Sequence, residues 1–387
     1  MFTTAYKMPT KDSSPSIPLS FHPRMQTPRS PFHIQELLHH CIGPLSGSKS
    51  DLKSCALVSR SWVNPAQTRL FMEVETGEGS MQHHQQMWSQ LLEILRRSPH
   101  LILHIRRLRI RADALSDEMF SQICRFPFTH LERLVLPPFE LSLSSALAIQ
   151  QVLSLSTLRH VDMYCHFNDQ ATFFQMWHRC SPSVRSLALR FFQRFNDPFV
   201  PMPHSGATSI NLEFFEMTSM HGIIQDWLPN DICPFNFAHL RVLSVGQYTE
   251  LLLCDKFAAA LRTIEAFSFE LTSMRERPNL SLIPNLASLR MSITRATWSR
   301  ALDTFSTIPT WNHLRDIQIC GHFDEGSCSK LDLLLGELLR DSFATIELLP
   351  TVPSTNPVTY FPKMNAKRMI HTMAYHQDWF KNHIAML

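Results

Sequence analysis

The chain holds 387 residues, 44% of them apolar and 18% charged, at a formal net charge of +3. That is enough apolar material for a small module plus an extended array, and too little net charge to point to nucleic acid or an anionic membrane surface. Glycine is scarce at 10 residues, so a glycine-rich phosphate cradle is not expected, and no run approaches the roughly 18 apolar residues of a membrane span. Nine cysteines without a Cys-x-x-Cys pair, and no secretory signal, read as reduced thiols of a cytoplasmic or nuclear protein.

Residues 1–30 carry Lys7, Lys11, Arg24 and Arg29, and six prolines fall from Pro9 to Pro31, which reads as a disordered N-terminal tail. Residues 31–75 predict a helical module. Ile34, Leu37, Leu38, Cys41, Ile42 and Leu45 recur at helical spacing, and Gly43-Pro44 ends the run. A second helix is expected from Ser50 or Asp51, carrying Leu52, Cys55, Ala56 and Ser59 on one face. A third is expected from Asn64 as cap, with Pro65 at the first helical position, burying Ala66, Leu70 and Phe71.

Residues 76–350 are organised by a repeated spacing, apolar-x-x-apolar-x-apolar. It runs Ile105-Leu108-Ile110, Leu131-Leu134-Leu136, Leu158-Val161-Met163, Val184-Leu187-Leu189 and Leu212-Phe215-Met217. It continues as Leu240-Leu243-Val245, Ile264-Phe267-Phe269, Leu286-Leu289-Met291, Leu314-Ile317-Ile319 and Phe343-Ile346-Leu348. A period of about 26 residues lies in the leucine-rich-repeat range, with one strand and one helix per unit. Ser144–Ser154, Gln170–Arg179, Thr297–Thr304 and Ser329–Arg340 read as the intervening helices. The asparagine expected after each strand is missing, so an irregular solenoid with a parallel sheet is predicted. Residues 351–387 do not match the repeat and read as a C-terminal cap or tail.

The stretch Ile34-Gln35-Glu36-Leu37-Leu38, then Leu52-Lys53-Ser54-Cys55-Ala56-Leu57-Val58-Ser59-Arg60-Ser61-Trp62, closing on Leu70-Phe71, resembles an F-box of the fungal type. The family usually opens with Leu-Pro, where this chain has His33-Ile34. Taken with the repeats, the fold class is α/β: a three-helix F-box module followed by an irregular leucine-rich-repeat solenoid. The resemblance implies the substrate-recognition subunit of a Skp-cullin-F-box ubiquitin ligase, with no chemistry of its own and no cofactor or metal. Its partners would be the Skp adaptor, the cullin through it, and an unknown target protein. It implies Ile34, Leu37, Leu38, Leu52, Val58 and Trp62 as adaptor-binding residues, with Trp62 foremost. The alternative is a repeat-based interaction scaffold that never joins a ligase.

In such repeats the first, fourth and sixth positions point inward, and the alternate ones line an exposed sheet face. That face is expected to hold Arg107, Arg109 and Arg111, then Arg133, His160, Asp162, Tyr164, Ser186, Ala188 and Arg190. Phe214, Glu216, Thr218, Ser244, Ser268, Glu270, Ser288, Arg290, Asp316 and Gln318 follow. Arg107, Arg109, Arg111 and Arg133 are the candidate target-binding residues, four unpaired guanidinium groups with room to converge on an anionic group; the alternative is a solvated, charged edge that only blocks aggregation. The histidine pairs, His83-His84 among them, lack metal-site spacing, and Gly43 to Gly47 lacks a nucleophile elbow's context.

Overall fold

The computed structural model describes residues 35–75, 80–110, 115–167, 169–190, 209–218, 227–228, 230, 233–246, 255–271, 278–309, 313–339, 344–350, 357–367 and 369–372. The chain divides into two units, Met1–Ala66 and Gln67–Leu387.

The first unit contains α1 (Gln35–Ile42), a 3-10 turn (Gly43–Gly47) and α2 (Lys49–Val58), and it ends within α3 (Arg60–Met72). Two expected boundaries move. The cap of α2 is Ser48, whose hydroxyl accepts from the Asp51 amide at 3.4 Å, not Ser50 or Asp51. α3 starts at Arg60 rather than at Asn64, with Pro65 inside it. The break falls one turn earlier because Ser59 adopts an extended backbone (φ −162°, ψ 164°) that ends α2 and lets the chain restart at once. Leu38, Ile42, Leu52, Pro65 and Ala66 are buried, the small core of this unit.

The second unit is α/β, built on one sheet of twelve parallel strands paired in chain order. They are β1 (Glu73–Glu75), β2 (Arg107–Arg109), β3 (Arg133–Leu141), β4 (His160–Phe167) and β5 (Ser186–Arg190). β6 (Ile210–Asn211) and β8 (Phe235–Asn236) form a separate two-stranded sheet, and β7 (Phe214–Thr218) and β9 (Val242–Val245) continue the main one. β10 (Ala266–Glu270), β11 (Ser288–Ile293), β12 (Asp316–Gly321), β13 (Thr345–Pro350) and β14 (Ile370–Thr372) complete it. The apolar triplets fix the register. Leu108, Leu134, Val161, Leu187, Phe215, Leu243, Phe267, Leu289, Ile317 and Ile346 pair one with the next, so each repeat contributes one rung to a buried ladder. Phe343, the first position of the last triplet, lies outside the described residues.

Two strands of the main sheet fall outside the expected triplets. β1 and β14 are the edges, and each keeps only the central apolar rung, Val74 and Ile370. An edge strand has one neighbour to pack against, so one anchor suffices and the full pattern is absent. β14 thus extends the sheet by one strand. The buried Asp332 carboxylate accepts from the Lys363 and Met364 amides, both at 2.9 Å, and so fixes the short helix Pro362–Ala366 there.

Parallel neighbours need crossovers, and helices supply several of them. α4 (Met81–Arg97), α5 (Asp117–Cys124), α6 (Leu143–Leu153), α7 (Gln170–Trp177) and the helices Trp298–Phe305 and Glu325–Leu338 join the ladder in one apolar core. Ser80, Ser116, Ser142, Asp169 and Asp324 cap five of these through side-chain oxygens. Aromatic side chains fill the core beneath β4 to β9, with Phe173 against Trp227 at 5.0 Å and Trp177 against Phe235 at 5.3 Å, both edge-on.

Two polar ladders replace the missing asparagines. The amides of Glu132 and Arg133 both donate to the Arg106 carbonyl, at 2.8 and 3.0 Å, and the same fork recurs at each strand start down to Arg315 and Asp316 on Ala287. One residue before each triplet stands a polar side chain, and Thr157, Ser183 and Thr263 use theirs to bond the preceding repeat. Their hydroxyls donate to the carbonyls of Leu131, Leu158 and Leu240 at 2.9, 2.8 and 2.8 Å.

Candidate functional site

The candidate adaptor residues of the first unit separate by exposure. Leu38 and Leu52 are buried and serve the core, Trp62 is half-buried, and Ile34 lies outside the described residues. Leu37 and Val58 are 46% and 67% exposed, and Leu57, which the helical-face reading passes over, is 87% exposed. The signal was in the spacing: Leu57 is five residues from Leu52, more than a third of a turn off its face, so it cannot share that core. Adjacent exposed leucine and valine at a helix C-terminus are costly to leave in water, about 2 kcal/mol each if later covered.

The face of the second unit opposite the core is partly open and partly closed. From β1 to β4 it is open or half-open: Glu73, Arg107 and Arg109 are exposed, while Glu75, Arg133, Val135, His160, Asp162 and Tyr164 are half-buried. From β5 to β11 most of the expected exposed positions are buried instead, at Ser186, Ala188, Phe214, Glu216, Ser244, Ser268, Ser288 and Arg290, while Arg190 and Thr218 are half-buried and Glu270 is exposed. A second apolar cluster lies on this side, Ala188, Phe214, Val242 and Ala266, one residue from each of four strands. Val242 and Ala266 occupy outward positions that the alternation assigns to solvent. Parallel strands are commonly apolar on both faces, and here the middle of the sheet is.

Of the four arginines, three lie among the described residues, and only two of those face each other. Arg107 stands opposite Arg133, but Arg109 stands opposite Val135, and Arg111 lies outside the described residues. Two of them are paired. β1, absent from the repeat pattern, brings Glu75 to 2.8 Å from Arg109 and Glu73 to 3.8 Å from Arg107. Arg133 has no carboxylate partner among the described residues.

A tighter polar group lies beside them. The Arg190 guanidinium donates through Nε and Nη2 to the two oxygens of Glu216, at 2.9 and 3.0 Å, with Asp162 at 3.9 Å. Burial pushes the Glu216 carboxyl up, against the opposing pull of Arg190. Burial also works against the Arg190 charge, but the Glu216 hydrogen bonds and the Asp162 charge outweigh it and hold the guanidinium protonated. Farther along, Gln318 donates to Glu347, and burial pushes the Cys320 thiol up despite the nearby Arg290 charge. The thiols of Cys124, Cys165 and Cys180 are likewise pushed up by burial, Cys180 to about 12, so they pack as small apolar groups rather than standing ready as thiolates.

Among the described residues no group of three or more His, Cys, Asp or Glu side chains is arranged to hold a metal ion, and no helix is long and apolar enough to cross a membrane. The fold and its faces define an α/β chain whose parallel strands follow sequence order and present one polar, partly open side. No family model matches the chain, and no curated protein matches it.

Proposed function

We propose that this chain is the substrate-recognition subunit of a Skp-cullin-F-box type ubiquitin ligase. On this reading the first unit is an F-box that docks on the Skp adaptor and, through it, the cullin. The second is an irregular leucine-rich-repeat solenoid whose strand face holds a target protein. Ubiquitin transfer is done by other subunits, and this chain performs no chemistry in a cytoplasmic or nuclear complex. The observation that carries the reading is the exposed pair Leu57 and Val58 in the first unit, within the Leu-Val-Ser-Arg-Ser-Trp element of the F-box resemblance. The second unit supports it through a register set by the leucine-rich triplets, strand after strand. A small helical unit that leaves apolar side chains in water has a reason to meet a partner.

The test is co-purification of the full chain with the Skp adaptor. Leu57→Asp with Val58→Asp should abolish it while leaving the thermal transition unchanged, because neither side chain is in the core. Trp62→Ala should weaken it and also lower stability. Wild-type protein that fails to bind the adaptor at micromolar concentration removes the ligase reading and leaves the interaction scaffold.

A further inference from the structure

The register of the first strands assembles a group that no single segment displays. Along one row of the open face, Glu73, Arg107, Arg133 and His160 stand side by side, each the direct partner of the next on neighbouring parallel strands. Such neighbours are spaced by about 4.8 Å, so Arg107, Arg133 and His160 span little more than one carboxylate fork and its donors. Glu73 reaches Arg107 only at 3.8 Å, an exposed and long contact that leaves most of the guanidinium's donors available. The Arg133 side chain is half-buried, and its guanidinium has no ion pair or hydrogen bond among the described residues. His160 is half-buried too, and its enclosed Nδ1 has no hydrogen-bond partner among them. An N–H buried without an acceptor is costlier than a bare nitrogen, which assigns the proton to Nε2, the nitrogen left to meet a ligand.

We propose that Arg133, flanked by Arg107 and His160, is a subsite for one carboxylate of a protein partner. Arg133 supplies the paired donors and the charge, Arg107 adds a second cation at the rim, and His160 donates through Nε2. The charge balance selects the ligand. Glu73 offsets Arg107, so the row carries one unmatched positive charge, that of Arg133. A singly charged carboxylate, from an aspartate, a glutamate or a chain terminus, matches it, whereas a phosphate dianion would face Glu73 with a charge to spare. His160 stays neutral near neutral pH. Burial holds its pKa down, and Arg133, Arg107 and Arg159 add to that against the opposing charge of Glu132. The neighbouring row does not share the role, because Arg109 is already held by Glu75 at 2.8 Å.

That the carboxylate belongs to a target of the ligase rests on the reading above; the subsite itself does not, and its test leaves the adaptor out. The probe is acetate, titrated into the full chain at neutral pH with carbon-13 histidine rings observed by NMR and the His160 signal identified from a His160→Gln sample. The His160 ring signal should shift along a saturating curve. Arg133→Gln should weaken that binding roughly tenfold or more, with Arg133→Lys in between, and Arg109→Gln should leave it as in the wild type. A wild-type signal that does not saturate with acetate overturns the subsite. So does equal loss in Arg133→Gln and Arg109→Gln, which would mark a diffuse field instead of a built group. Saturation by inorganic phosphate alone overturns the carboxylate assignment. A failed adaptor pull-down would leave all of these results standing.

Discussion

Arg190 on β5 and Glu216 on β7 share two hydrogen bonds of 2.9 and 3.0 Å across neighbouring strands, with the carboxylate side chain only 5% exposed. Removing the carboxylate leaves the guanidinium with Asp162 at 3.9 Å and part of its surface in water. Glu216→Ala should therefore cost about 2 kcal/mol, below the usual range for a fully buried pair. Glu216→Gln should cost less than about 1 kcal/mol, because it keeps a hydrogen-bond acceptor and sheds a charge that burial penalises. The pH dependence has a definite sign. The folded-state pKa of Glu216 lies above its ordinary value, so its contribution is full below the unfolded value of about 4.3 and is lost as pH rises through the folded one. The stability of the wild type relative to Glu216→Gln should fall as pH is raised across that window. Denaturant unfolding of both proteins at a series of pH values measures it, and a difference that rises with pH would contradict the assignment.

Gly321 ends β12 at φ 153°, where a Cβ would lie 2.1 Å from the carbonyl oxygen of Ile293, its partner on β11. Backbone cannot yield as a flexible side chain does. Gly321→Ala should destabilise the second unit by more than about 3 kcal/mol, among the largest effects for an added methyl group. Gly336→Ala is the comparison. Its Cβ would meet Lys363 and Met364 side chains at ordinary distances of 3.6 and 3.7 Å, and its thermal midpoint should stay close to wild type or rise. Equal midpoints for the two variants would show that the strand end can move.

The hydroxyl ladder predicts a cost at positions that look like loop residues. Thr263→Val keeps the shape and removes the bond to the Leu240 carbonyl, so it should lower stability by about 1 kcal/mol. Ser183→Ala should do the same through Leu158. A denaturant midpoint unchanged in both would mean that water replaces the hydroxyls without loss.

The sequence by itself determined the parallel sheet and its register. Each triplet puts two apolar side chains on one face at period two, so a one-residue slip would turn every rung, Leu108 through Ile346, to the other side. It also indicated the helix expected over Ser329–Arg340, observed as Glu325–Leu338; of its leucines at helical spacing, Leu331, Leu335 and Leu339 are buried and Leu334 and Leu338 half-buried. The polar position before each triplet was visible as well, as Thr157, Ser183 and Thr263, but its role shows only once a carbonyl from the repeat before stands opposite. Tertiary structure alone decided the rest. Whether Arg107 meets Arg133 or Val135 depends on strand pairing, and whether it meets a carboxylate depends on β1, whose single anchor Val74 carries no pattern. That Phe214 and Glu216 are buried, and that Phe214 joins a second apolar cluster to which four separate strands each give one residue, shows only in the folded sheet. Periodicity is a property of a segment and can be read along it, whereas charge pairing and burial across strands belong to neighbours some 26 residues away and exist only when the chain is folded.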